Sequence, residues 1–237
     1  MVGIDRVYQT VQKILNKEQR GYLPPVEFNL FANQAQNEIF EGYFSSRNYA
    51  VSNDSDYSDI RKNVEEKMSL FDNEETVSSG TFTNAAGNVT ANHFPYPTNF
   101  YRLGSVTADV ANVPPCNITE VSNKDLVYVN KSPLTKPTTR NPVYTRHEAG
   151  IVVHPTTGIS NVTYSYVRIP AEVNWGYTTV NSKPLYNAAT STNFQLHGSE
   201  STELVLKICQ YAGLSTKSMD VAQAATQKDQ QLTQSEK

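Results

Sequence analysis

The side chains best suited to chemistry in this sequence are its four histidines, His93, His147, His154 and His197. An imidazole can ligate a metal, act as a general base or change charge near neutral pH. All four fall in segments with β or loop texture, without an HExxH helix or a cysteine at zinc-finger spacing. The expectation is therefore no metal and no cofactor. A second candidate is DSDYSDIRKNVE, Asp54 to Glu65, which places Asp, Asp and Ser at the first, third and fifth positions of a calcium loop and Glu at the twelfth. Asp59 occupies the sixth position, where such a loop needs Gly for its sharp turn, and the apolar spacing from Ile60 demands helix where the loop should still be open. The same residues read as a helix cap at Asp56 or Ser58. The carboxylate pairs Glu65-Glu66 and Glu74-Glu75 point in different directions and have no apolar pocket to raise a pKa, so they read as solvated faces. With no Gly-rich phosphate loop after a strand, no GxSxG elbow and no Cys/His signature, no catalytic residue is assigned and the chain is read as a non-enzyme.

Composition narrows the classes further. The net charge is −3, and no Lys/Arg run could neutralise a row of phosphates. Charged residues make up 18% of the chain, against roughly 25% in an ordinary soluble domain, with Asn, Gln, Thr and Ser in their place. Cys116 and Cys209 lie far apart and read as free thiols. Met1 to Lys17 lacks the apolar run and cleavage site of a secretory signal, and no apolar stretch approaches the roughly 20 residues of a membrane span. A soluble protein made in a cytoplasm, with no membrane partner, is expected.

The elements follow from periodicity. Ile4, Val7, Tyr8, Val11, Ile14 and Leu15 mark a first helix, and Gly21 stops it. Pro24-Pro25 and Glu27 start a second, which runs to about Phe44 with a stripe of Phe28, Ala32, Ala35, Ile39 and Gly42 whose small residues would admit a neighbouring helix. Ile60, Val64, Met68 and Phe71 mark a third. From about Thr76 to Leu196 the texture is short alternating runs broken by Gly, Pro and Asn, as in VTYSYVRI, with too many prolines for all to sit in central strands. Leu204, Val205, Ile208 and Tyr211 restore helical spacing up to Gly213, and a last helix spans Thr216 to about Gln234 with little to bury. The predicted fold is α+β, a helical bundle from the N-terminal and C-terminal segments with an inserted, mainly antiparallel β region. Its divisions are 1–72 (N-terminal helices), 73–198 (β region) and 199–237, where the first helix packs on the N-terminal ones and the last is a docking tail.

The second helix, FNLFANQAQNEIFEGYF, carries amides where a wet helix normally carries Lys and Glu. An amide can be buried if its donors and acceptors find partners, at less cost than a charge. Asn29, Asn33, Gln34, Gln36 and Asn37 are therefore candidates for polar contacts between subunits, or simply for a surface of low charge.

Several stretches resemble head-to-tail connector proteins (portal adaptors or rings) of crAss-like and related short-tailed bacteriophages. They are IDRVYQTVQKILNKEQRGYLPPVEFNLFANQAQNEIFEGYF from Ile4, FPYPTNFYRLGSV from Phe94, YVRIPAEVNWGY from Tyr166 and LYNAATSTNFQLHGSESTELVLKICQYAGLS from Leu185. The first is the most specific, because the first helix, the KEQRGY turn and the amide-rich helix occur together. The resemblance implies a virion structural protein of the neck or tail, assembled in the bacterial host cytoplasm. Its implied partners are further copies in a closed, twelvefold ring, the portal protein, an adjacent tail ring or tail proteins, and genome DNA that passes without specific binding. The last helix would then dock on the portal or a neighbour through Met219, Ala222, Gln223, Ala225, Gln227 and Gln230. The competing expectation is a β-rich module binding host glycan or another virion protein, with TYSY and NWGY, including Trp175, stacking on sugar rings. A virion-associated hydrolase is a third, for which no acid/base pair is visible.

Overall fold

A computed structural model describes residues 1–16, 22–52, 58–83, 89–109, 115–215, 226–228 and 230. Its α-helices include α1 (Ile4–Asn16), α2 (Pro25–Ser52), α3 (Ser58–Ser69), α4 (Asn123–Lys131) and α5 (Ser201–Ser215). The strands are β1 (Asp72–Ser78), β2 (Gly80–Thr83), β3 (Val89–Pro95), β4 (Phe100–Asp109), β5 (Cys116–Asn117), β6 (Thr119–Glu120), β7 (Val143–His147), β8 (Gly150–His154), β9 (Asn161–Arg168), β10 (Tyr177–Val180) and β11 (Lys183–Tyr186). The fold is α+β with mainly antiparallel sheets, and the chain divides into two compact units, Met1–Leu70 with Pro170–Lys237, and Phe71–Ile169.

In the first unit, Ile4, Val7, Tyr8, Val11 and Leu15 bury one side of α1, and Ile14 alone of the expected set is exposed. Pro25 opens α2, where its missing N–H would have had no helical partner. The helix continues past Phe44 to Ser52, through a stretch without Gly or Pro. α2 packs against α3 and α5, and α1 packs against α5. The core between them includes Phe28, Ala32, Ala35, Ile39 and Tyr43 from α2, Val64 and Met68 from α3, and Leu204, Ile208 and Ala212 from α5. Gly42 is not part of that contact: it is exposed, and a methyl group there would meet nothing within 4 Å. α3 occupies DSDYSDIRKNVE from Ser58 onward, while Asp56, the other candidate cap, lies outside the described residues.

Two ion pairs tie α5 and the turn before it to the other helices. Lys67 of α3 pairs with the buried Glu200, and Lys207 pairs with Glu38 at 2.9 Å. Burial raises the Glu200 carboxyl, but hydrogen bonding with Lys67, contacts at Glu203 and Ser199, and the Lys67 charge outweigh it, so its pKa lies below the usual glutamate value. A depressed carboxyl pKa stabilises the fold above the unfolded value of about 4.3 and loses that contribution as pH falls through the folded value. Glu200→Gln should therefore cost about 2 kcal/mol at neutral pH, less than the roughly 3–5 kcal/mol of breaking a fully buried pair, because Lys67 keeps partial access to water. The difference from the parent should shrink below about pH 4, as urea titrations at several pH values would show.

The extended run from Pro170 to His197 belongs to this helical unit, whereas the sequence places the boundary at 198. Its alternation resembles a sheet strand, yet Val173, Trp175, Phe194 and Leu196 bury themselves in the helical unit. Short bridges Val2↔Phe194 and Asn174↔Thr192 and the hairpin of β10 with β11 complete it. Gly176 is required here, because a Cβ would come within 2.8 Å of the Thr190 carbonyl oxygen.

Among the described residues the second unit holds two sheets, with strand orders β1-β9-β4-β5 and β2-β3-β8-β7-β6. Every ladder in them is antiparallel except β6 with β7. Alternate residues of β9, Val162, Tyr164 and Tyr166, join Phe94, Val106, Ala108, Tyr144, Ile151 and Val153 in one core. The Tyr164 hydroxyl donates to the Phe94 carbonyl at 2.7 Å, satisfying the one polar atom that its ring carries inside. α4 lies within the stretch expected to be β. Val127 and Val129 favour strand, but Ser122 caps the amide of Asp125 and starts a helix.

Both cysteines are free. Cys116 is half-buried, whereas Cys209 is buried and its thiol is pushed up to about 11 by that burial. A thiol reagent at neutral pH should modify Cys116 in the native protein and spare Cys209 until denaturant is added, a difference that intact-mass measurements would read.

Candidate interaction surface

α2 presents three faces, and only one is apolar and buried. On the second, Asn29, Asn33 and Gln36 stand at intervals of four and three residues, next to one another in space on a helix. The Asn33 side chain donates to the Val173 carbonyl at 2.9 Å and accepts from the Val173 N–H at 2.9 Å. Asn29 accepts from the Trp175 N–H at 2.8 Å and donates to the Asn174 side-chain oxygen at 2.8 Å and the Trp175 carbonyl at 3.4 Å. Gln36, itself buried, donates to the Ala171 carbonyl at 2.9 Å and accepts from the Gln195 N–H at 3.0 Å.

The periods explain why this works. Four residues of helix advance about 6 Å, and two residues of extended chain advance about 6.6 Å. Successive amides of α2 thus meet alternate residues of 171–175 and take the place of a neighbouring strand on the side opposite its bridge to Thr192. The partners that the sequence sought for Asn29, Asn33 and Gln36 in another subunit lie in the same chain. That removes the reason for placing these three between copies.

Three of the four aromatic rings considered for sugar stacking are buried as well, while Tyr177 is exposed. Trp175 lies 4.3 Å from Tyr8 between ring centroids, close to Tyr186, and its indole N–H donates to Asp5 at 3.1 Å. Tyr164 and Tyr166 belong to the core of the second unit. A glycan could not reach these three rings in the folded chain.

The third face of α2 is open. Val26 is 67% exposed and Leu30 68%, with Tyr22 at 57% just before the helix. Gln34, Asn37 and Glu41 continue the same stripe, all exposed, with Glu27 and Glu38 alongside. Between residues 22 and 44 there is no Lys or Arg. Glu38 is engaged internally, accepting from the Tyr211 hydroxyl at 2.6 Å as well as from Lys207. This surface is apolar, amide-bearing and acidic. Scattered exposed apolar residues are ordinary, but aligned on one helix face they suit a surface that becomes covered.

Of the tail candidates, Met219, Ala222, Gln223 and Ala225 lie outside the described residues, and Gln227 and Gln230 are exposed. The Thr226 hydroxyl accepts from the Gln210 amide at 2.9 Å, so this part of the tail lies against α5 of its own chain. A groove of about 290 Å³ between α1 and α5, lined by Val7, Ile14, Val205 and Leu206, has Lys228 on its wall.

Among the histidines, His93 and His154 have buried Nε2 atoms without a hydrogen-bond partner, and burial, followed by the charge of His147, holds both below the usual imidazole range. Among the described residues no three His, Cys, Asp or Glu side chains converge as they would to hold a metal ion. His197 serves its own backbone, its Nδ1 accepting from the Ser199 N–H at 3.3 Å.

No protein-family model matches this chain, and no curated protein matches it significantly. Among the described residues, no helix is long and apolar enough to cross a membrane.

Proposed function

We propose that this chain is a structural subunit of the head-to-tail connector of a short-tailed bacteriophage, one ring beneath the portal that continues the DNA channel into the tail. The observation that carries this reading is the third face of α2, apolar and amide-bearing on a helix whose other two faces are already used in folding. The resemblance of the Ile4 to Phe44 stretch to connector proteins agrees with it. Identical copies associate head to tail through unlike surfaces, and the ring closes, twelvefold, where the rotation per copy divides a full turn. The helices of the first unit act as a bundle that presents α2, and Asn37 remains as an amide available to a neighbour, while the exposed Gln34 already hydrogen-bonds Tyr211. The role is mechanical and needs no catalytic residue, cofactor or metal. A net charge of −3 lets genome DNA pass without being held. The tail, through Gln227 and Gln230 among others, docks on the portal, and the lower surface meets the next tail ring or tail proteins. In the host cytoplasm the copies join the assembling virion and stay in its neck.

Incubating the purified chain with portal protein and imaging the product tests this. Rings coaxial with the portal are the expected result, whereas monomers that ignore the portal and bind glycan would favour the β-rich module.

A further inference from the structure

The open face of α2 has a counterpart of opposite charge on the same chain. α4 buries none of its residues. A helix of 9 residues is marginal without packing, and this one is held mainly by its ends. The Ser122 hydroxyl accepts from the Asp125 N–H at 3.2 Å and donates to the Asp125 carboxylate at 2.8 Å, while the Thr135 hydroxyl donates to the Val129 carbonyl at 3.0 Å. These contacts hold Val127, Tyr128 (70% exposed) and Leu134 (96% exposed) out in water. Around them stand Lys124, Lys131, Lys136 and Arg140 against the single carboxylate Asp125, so residues 123–140 carry +3 in a chain of net −3. The Lys131 ammonium lies 5.6 Å from the Tyr128 ring centre, which keeps charge and apolar surface in one patch.

We infer that the α4 segment of one copy docks on the exposed α2 face of the next copy, with Val127, Tyr128 and Leu134 covering Tyr22, Val26 and Leu30 and the lysines facing Glu27 and Glu41. The choice of a second copy as occupant rests on the ring reading above and on this match of sign and apolarity. Each surface joins exposed apolar side chains to a net charge, and the two net charges are opposite in sign. The two surfaces differ, so the contact is heterologous and repeats from copy to copy, as a ring requires. Gln34 and Asn37 lie within the α2 stripe, where burying an amide costs less than burying a charge. A DNA backbone would neutralise the lysines but leave Val127 and Leu134 wet, which disfavours nucleic acid as the occupant.

The test uses the full chain in two charge-reversed forms, one with Lys131→Glu and Lys136→Glu, the other with Glu27→Lys and Glu41→Lys. Sedimentation reads self-association, and carbodiimide cross-linking between isotope-labelled and unlabelled copies reads which surfaces meet. The unaltered chain should cross-link Lys131 or Lys136 of one copy to Glu27 or Glu41 of another. Either reversed form alone should associate on the order of a hundredfold more weakly, because like charges then face each other. An equimolar mixture should recover association, since every junction again pairs opposite signs. A chain that stays monomeric, cross-links that join other surfaces, or reversed forms that associate like the parent would each overturn the contact. So would an α4 reversal whose only loss is binding to portal or DNA. Reversed forms that still build rings on the portal overturn this contact and leave the connector reading standing. Copies that pair through these surfaces yet build no ring on the portal do the opposite.

Discussion

Asn33→Leu should destabilise the chain by about 4 kcal/mol, although Leu fills nearly the same space as Asn. Val173 is buried, and both its N–H and its carbonyl are paired with the one amide of Asn33. Leu satisfies neither, and each buried backbone group left without a partner costs about 1–3 kcal/mol. Asn33→Asp separates hydrogen bonding from packing: the carboxylate can still accept from the Val173 N–H, but it cannot donate to the carbonyl and sets negative charge against it. A loss of similar size is expected. Asn37→Leu, on the exposed face of the same helix, should change stability by no more than about 0.5 kcal/mol. Urea denaturation with an unchanged slope reads all three. If Asn33→Leu proved no more harmful than Asn37→Leu, the pairing of helix amides with an extended backbone would carry no weight in this fold.

That prediction also marks how far the sequence could be read. The amides of α2 stand out because Asn and Gln replace Lys and Glu, and the need for partners follows from the cost of burying an unsatisfied amide. The partner itself was out of reach. Val173 lies 140 residues from Asn33, in a run whose alternation is also that of a sheet strand. Only when one element is known to be helix and the other extended does the near-equality of a four-residue and a two-residue advance become informative. The boundary at 169/170 was hidden for the same reason, since Val173 and Trp175 have strand-like spacing but pack in the helical unit.

The elements decided by local periodicity were plainer. The buried side of α1 is the expected set less Ile14, and alternate residues of β9 are buried as VTYSYVRI requires. α4 was hidden because its β-branched residues favour strand and its signal is a two-residue cap. Gly42 shows the opposite error: helical spacing put it in line with Ala32 and Ala35, but its position meets no neighbour. Spacing tells which residues share a stripe, and not how far along that stripe the contact runs.

The three faces of α2 have a common physical consequence. The helix spends one face on apolar packing and one on amide pairing, so its apolar residues do not gather on a single side. Val26 and Leu30 on its open face are as apolar as the residues that it buries, and the proposed interface would use them. That interface also sets the requirement that substitutions there leave stability unchanged and alter only association, which Asn33 and its ladder would not do.

Trp175→Ala should cost about 4 kcal/mol, and the nature of the loss decides between a core role and a surface role for the sole tryptophan. Its indole is buried against Tyr8 with Tyr177 and Tyr186 nearby, and its N–H donates to Asp5. Truncation to Ala leaves a cavity between α1 and the hairpin of β10 and β11, with one side of the Tyr8 ring unpacked. Trp175→Phe keeps most of the ring and gives up the hydrogen bond, so about 1 kcal/mol should be lost beyond a small packing penalty. Far-ultraviolet circular dichroism follows unfolding in every variant, since fluorescence would lose its reporter in both. In the parent protein the emission of Trp175 should shift to longer wavelength on unfolding, as water reaches a ring that the fold excludes from it. A Trp175→Ala chain as stable as the parent, but unable to hold a sugar that the parent binds, would return this ring to the surface and revive the glycan-binding module.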